Sequence, residues 1–70
     1  MPSTVIRSFD YDPVNRRLNV RLVSGRGYSY LGVPPEVATA MRLSFAKGEF
    51  FNVHIRPNYR FERLADLDVE

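Results

Sequence analysis

Hydrophobic and polar residues alternate most cleanly over residues 17–23, with Leu18, Val20 and Leu22 on one side of an extended chain and Arg17, Asn19 and Arg21 on the other. Successive side chains of a strand point to opposite faces, so this stretch predicts a half-buried strand. Residues 3–11 are rich in β-branched and aromatic types and predict a strand before it. Val5, Phe9 and Tyr11 share a parity there, which Arg7 breaks. Asp12-Pro13-Val14-Asn15 joins the two with turn chemistry: the carboxylate accepts from the backbone two residues on, proline presets φ, and asparagine tolerates the left-handed region. Next comes Gly25-Arg26-Gly27-Tyr28-Ser29-Tyr30-Leu31-Gly32-Val33-Pro34-Pro35, a short strand entered by a glycine turn and left through a proline pair. Three strands with short connections predict an antiparallel meander.

The register of the second hairpin decides where Tyr28 and Tyr30 point. A two-residue turn at Ser24-Gly25 sets Arg21 opposite Tyr28 and Asn19 opposite Tyr30, so the tyrosines join the polar face. A three-residue loop at Val23-Ser24-Gly25, with Gly25 left-handed, sets Val20 opposite Tyr28 and Leu18 opposite Tyr30, so they join the apolar face. A one-residue slip moves every side chain to the other side. Ser-Gly is a weaker two-residue turn than Asn-Gly, and a closing left-handed glycine suits the longer loop, so turn preference favours the second register.

After the sheet the period changes. Pro34-Pro35-Glu36 starts a helix, because proline lacks the N–H that would be orphaned there and glutamate suits the positive end of the dipole. Val37, Ala40, Met41, Ser44 and Phe45 then form one apolar stripe, and Lys47-Gly48 reads as its last turn and stop, which predicts a helix over 35–47. Residues 49–56 fit two patterns: Phe51, Val53 and Ile55 alternate as in a strand, while Phe51 and Ile55 stand one turn apart on a helix. Residues 59–64 alternate and fit a short edge strand, and 65–70 read as an acidic tail with frayed ends. The expectation is an α+β fold: a three-stranded antiparallel meander packed by one main helix, a short second helix, and room for a C-terminal strand. Residues 1–64 form the single domain.

Composition narrows the picture. Seventy residues without cysteine make one small domain that no disulfide or thiolate metal site braces. No apolar run approaches a membrane span and no signal peptide is visible at Met1-Pro2-Ser3-Thr4, so the expectation is a soluble cytoplasmic protein with no membrane association. The net charge of +2 hides an asymmetry: residues 1–60 carry nine basic and four acidic side chains, while the last ten carry Arg63 against four acids. Nine of the ten basic residues are arginine, which forks onto phosphate and stacks on planes as lysine does not.

Catalysis finds little material. There is one histidine, His54, with no carboxylate or nucleophile paired to it in sequence, and the serines lie in no activating motif. Asp10-Tyr11-Asp12 starts like a calcium loop but lacks the glycine and bidentate glutamate at the required offsets. Gly25-x-Gly27 lacks a third glycine and precedes a strand, so it is no phosphate loop. The expectation is a non-enzyme with no cofactor and no metal.

With these elements placed, the chain resembles the KTSC domain, a small module named for its occurrence at the C-terminus of some lysyl-tRNA synthetases. The likeness is carried by Leu18-x-Val20-x-Leu22-x-x-Gly25, Tyr28-Ser29-Tyr30, Val33-Pro34, Ser44-x-x-x-Gly48, Phe51-Asn52, Ile55-Arg56 and Tyr59, across residues 3–64. The chain departs at Leu22, where the family favours an aromatic, and at Ala46-Lys47. The resemblance implies a compact α+β domain, alone or as an appendage, with no established activity. Its company with synthetases links it to RNA by association. The family pattern also favours the helical reading of 49–56.

Binding chemistry then centres on two groups. Tyr28 and Tyr30, flanked by Arg21 and Arg26, supply flat faces for bases and charge for phosphate, although tyrosine is also a core aromatic with a polar tip, the role that the favoured register gives them. Arg56 and Arg60, with Asn52 one helical turn earlier, form a second polar cluster near Tyr59, although Arg56 beside a helix C-terminus fits the capping of carbonyls slightly better. The expected function is a small binding module for RNA of the tRNA kind, with a protein partner as the alternative.

Overall fold

The computed structural model describes residues 6–65. Four antiparallel strands form one open sheet in the order β1-β2-β3-β4: β1 (Ile6–Asp12), β2 (Arg17–Leu22), β3 (Gly27–Tyr30) and β4 (Phe61–Leu64). Helix α1 (Pro35–Leu43) and helix α2 (Lys47–Phe50) lie between β3 and β4, and α2 runs on as a wide π-helical turn over Phe51–Ile55. The meander therefore gains a fourth strand, and the expected α+β class holds. The expected acidic tail lies outside the described residues apart from Ala65, as does Val5.

The second hairpin takes the three-residue loop. Leu18 faces Tyr30 and Val20 faces Tyr28. Leu22 N–H donates to the Arg26 carbonyl at 2.8 Å around Val23-Ser24-Gly25, and Gly25 has φ 98°. Both tyrosines consequently join the apolar side. At the first turn Asp12 accepts from Val14 N–H (3.0 Å), Asn15 N–H (3.3 Å) and the Asn15 amide (2.9 Å). These bonds, the Asn15 side chain's first, hold its carboxyl below the ordinary carboxylate value. The left-handed residue there is Arg16 (φ 54°) and not Asn15, whose side chain is already committed to Asp12.

The broken parity of β1 has a physical cause. The pairing shifts by one between Ile6 and Ser8, a bulge that sets Ile6 opposite Leu22 and Phe9 opposite Val20. Arg7 is the extra residue, so Ile6 and Phe9 both pack against the core despite their odd spacing.

Leu18, Val20, Tyr30, Val33, Met41, Phe51 and Ile55 form that core between sheet and helices. Val33 is fully buried in the loop after β3, yet its backbone is satisfied: its N–H donates to Arg16 O (3.0 Å) and its carbonyl accepts from the Tyr11 hydroxyl (2.5 Å).

The predicted helix over 35–47 is two helices. Ser44 leaves the helical region (φ −69°, ψ 140°), and its hydroxyl accepts the Ala46 N–H at 3.2 Å. A serine offering such a local bond competes with helix continuation. Gly48 accordingly sits buried inside α2 rather than stopping α1. The buried stripe of α1 is Ala38 and Met41 with Val37 beside them, whereas Ala40 is exposed and Phe45 stands outside the helix in full contact with solvent. Residues 51–55 are helical: Phe51 and Ile55 are buried and Val53 is 54% exposed. The π-type bond from Arg56 N–H to Phe51 O (2.9 Å) closes the turn before Pro57.

Candidate functional site

The open end of the apolar side carries the only expected residues that converge. Tyr28 and Tyr30 lie two apart on β3, and β4 sets Arg63 opposite Tyr28 and Phe61 opposite Tyr30. Leu22, Tyr28, Tyr30, Phe51, Arg56 and Phe61 line a recess of about 210 Å³. Its aromatic wall is edge-on: Tyr28 and Phe61 stand at 5.2 Å and 83°, and Tyr30 and Phe51 at 5.4 Å and 85°. Tyr30 and Phe61 are 5.5 Å apart and tilted. Edge-to-face pairs at these distances are attractive beyond the area they bury.

The two tyrosines differ in depth. Tyr30 is buried at 3% exposure, and burial pushes its phenol above the ordinary value. Tyr28 is half-buried at the rim. Two guanidinium groups border the recess over ring faces: Arg63 lies 5.4 Å from the Tyr28 centroid and Arg56 lies 5.9 Å from that of Phe51. Arg56 also donates to the Asn52 side-chain oxygen at 3.0 Å, so the helical turn expected to join these two residues does so.

The remaining expected residues lie elsewhere. Arg21 is on the opposite side of the sheet from the tyrosines. It donates to the Gly25 and Ala65 carbonyls (2.9 and 2.8 Å), and its guanidinium lies over Gly27, where a Cβ would meet it at 2.5 Å. Its work is to hold the β2–β3 turn to the end of β4. Arg26 is exposed at the second hairpin, and Arg60 is exposed just before β4, where its carbonyl accepts from Leu31 N–H. On the polar side Arg17 bonds Glu62 (3.1 Å) and the Ser29 hydroxyl (3.3 Å), which turns the acid of β4 away from the recess.

Phe61 lines the recess and Arg63 lies over the Tyr28 ring, and neither is among the residues that spacing and residue type single out. The alternation over 59–64 marked a strand, but the pairing of β4 with β3 is a long-range choice that no local pattern encodes. His54 lies against Phe50 with ring centroids 4.6 Å apart and the rings tilted by 43°, away from the recess. No group of three or more histidine or acidic residues gathers to hold a metal among the described residues, and no helix there is long and apolar enough to cross a membrane.

Comparison with known proteins places this geometry. The family model of the KTSC domain matches residues 2–59. An uncharacterized protein of Stutzerimonas stutzeri is 38% identical over 65 residues, covering 91% of this chain and 92% of the relative. A lysine–tRNA ligase of Nostoc punctiforme is 34% identical over 62 residues, which is 89% of this chain and 11% of the ligase. The crystal structure of a KTSC domain protein from Yersinia pestis superposes with a TM-score of 0.85 at 31% identity, covering 93% of this chain and 92% of the other.

Proposed function

The chain belongs to the KTSC domain family, and we propose that it is a non-catalytic module that binds RNA at the aromatic recess between β3, β4 and the π-helical turn. The observation that carries this reading is the pairing of flat side chains with guanidinium groups at one place: Tyr28, Tyr30 and Phe61 beside Arg56 and Arg63. Aromatic faces take bases and arginines take phosphate. Asn52 stands by through Arg56, and exposed Arg26 and Arg60 add charge for the flanking backbone. The matching segment of a lysine–tRNA ligase agrees with an RNA partner. A single histidine and no cysteine give general acid–base or nucleophilic chemistry little to work with.

A salt series tests the proposal. Labelled tRNA is titrated with the full chain, reading anisotropy, between about 50 and 200 mM salt. Counterion release makes the affinity fall steeply, and Arg56→Ala weakens binding and flattens the salt slope by about one unit. Binding that is absent at low salt overturns the reading.

A second reading, protein interaction, rests on a different surface. Phe45, Leu43 and Val53 are 107%, 71% and 54% exposed around the break between α1 and α2. An apolar interface there is insensitive to salt, so the same series separates the two.

A further inference from the structure

We infer that the recess seats one unpaired nucleobase of an RNA strand, so that the module selects single-stranded over duplex RNA. This deepens the RNA-binding proposal and rests on it. A recess of about 210 Å³ lies below the roughly 300–1,000 Å³ of sites for drug-sized ligands, so it takes one flat group and not a base pair.

Ring geometry gives the orientation. Phe61 is 51% exposed although both its neighbouring tyrosines are more deeply set, so part of its ring surface is available to a ligand. Because Phe61 stands edge-on to Tyr28, a base on that surface meets the Tyr28 side at an angle instead of displacing it. Tyr28, Tyr30 and Arg56 are the polar-tipped members of the lining beside Leu22, Phe51 and Phe61, and a phenol can both donate and accept.

Charge selects the class of ligand. Among the described residues no carboxylate lines the recess, and Glu62 is held on the other side of the sheet by Arg17. Aromatic cages that capture cations need the reverse, an uncharged or acidic rim. Arginines at the rim instead match a flat group that carries its own anion, which is a base with its phosphate. A duplex keeps its bases paired and stacked with no free base face, so it engages the arginines through its phosphates and leaves the recess empty.

The test uses the full chain and three probes: a labelled ten-nucleotide oligoadenylate RNA, a blunt-ended RNA duplex annealed from two strands with no unpaired base, and free AMP as competitor. The single strand is expected to bind about tenfold or more tightly than the duplex. Phe61→Ala is expected to weaken the single strand about five- to a hundredfold, the loss of one base–aromatic stack, and to leave the duplex unchanged. Phe61→Tyr keeps the ring and restores single-strand binding, which separates stacking from damage to the exposed edge strand. Equal affinity for strand and duplex, with Phe61→Ala silent on both, overturns the inference while leaving RNA binding through arginine intact. AMP binding as tightly as the oligonucleotide assigns the recess to a free nucleotide and overturns it as well. Absence of salt-sensitive binding to either RNA removes the underlying RNA reading itself.

Discussion

Truncating residues 51, 53 and 55 one at a time separates the two patterns that this segment carries. Ile55 is fully buried and Phe51 is 2% exposed, whereas Val53 is 54% exposed. In a strand the three would share one face and cost similar amounts. In the observed helical turn, Ile55→Ala removes a fully buried aliphatic group from the core cluster that also holds Leu18, Met41 and Phe51. Such truncations cost about 2–5 kcal/mol, and the milder Ile55→Val about 0.5–1.5 kcal/mol. Val53→Ala falls within about 0.5 kcal/mol of zero, since it deletes exposed surface and exchanges a β-branched residue for a better helix former. A domain of this length has only roughly 4–10 kcal/mol to lose at the usual per-residue stability. Ile55→Ala therefore takes a large share of the total, and Ile55→Val is the quantitative variant. Urea denaturation followed by far-ultraviolet circular dichroism gives each midpoint at constant m. Thermal melts add a scale of about 4–8 °C per kcal/mol for a domain of this size. A Val53→Ala loss equal to that of Ile55→Ala would refute the helical packing.

Three further perturbations probe other joints of the fold. Tyr11→Phe deletes the hydroxyl that satisfies the buried Val33 carbonyl, and a loss of about 1–3 kcal/mol is expected in urea melts, with no change in the secondary-structure spectrum. Gly25→Ala forces a side chain into φ 98° and is expected to cost about 1–2 kcal/mol, seen as a melting temperature lower by several degrees, while Val23→Ala at the same loop stays near neutral. Tyr30 has its folded-state phenol raised above 10.0, so its contribution to stability is complete below pH 10 and is lost as pH rises through the folded value. Thermal melts between pH 8 and 11.5 are expected to decline above pH 10, and Tyr30→Phe removes part of that decline; an unchanged profile in the variant would show that Tyr30 is not the group responsible.

Much of this architecture was legible because it is local. The alternation of Leu18, Val20 and Leu22 and the glycine at 25 carry the second hairpin, including its register, since a left-handed closing glycine selects the three-residue loop. The end of α1 comes earlier than expected because Lys47-Gly48 has the look of a helix terminus, while the break is made by the Ser44 hydroxyl, whose local bond with Ala46 N–H competes with helix continuation. Arg7 hid a bulge as a fault in parity. The recess was half legible. Tyr28, Tyr30, Asn52 and Arg56 were found from spacing and residue type, but their convergence depends on β4 closing the sheet beside β3. Arg21 was grouped with the tyrosines by sequence proximity, yet the register that turns Tyr28 inward necessarily turns Arg21 outward.

Whether the recess meets RNA decides the function. The most direct measurement is a two-dimensional amide NMR titration of the full chain with mixed tRNA at low salt, repeated at about 200 mM salt. The account predicts shifts concentrated at Leu22, Tyr28, Tyr30, Phe51 to Arg56 and Phe61 to Arg63 that fade at the higher salt. Amides that stay still at those positions, or shifts confined to Leu43, Phe45 and their surroundings that persist in salt, would contradict it.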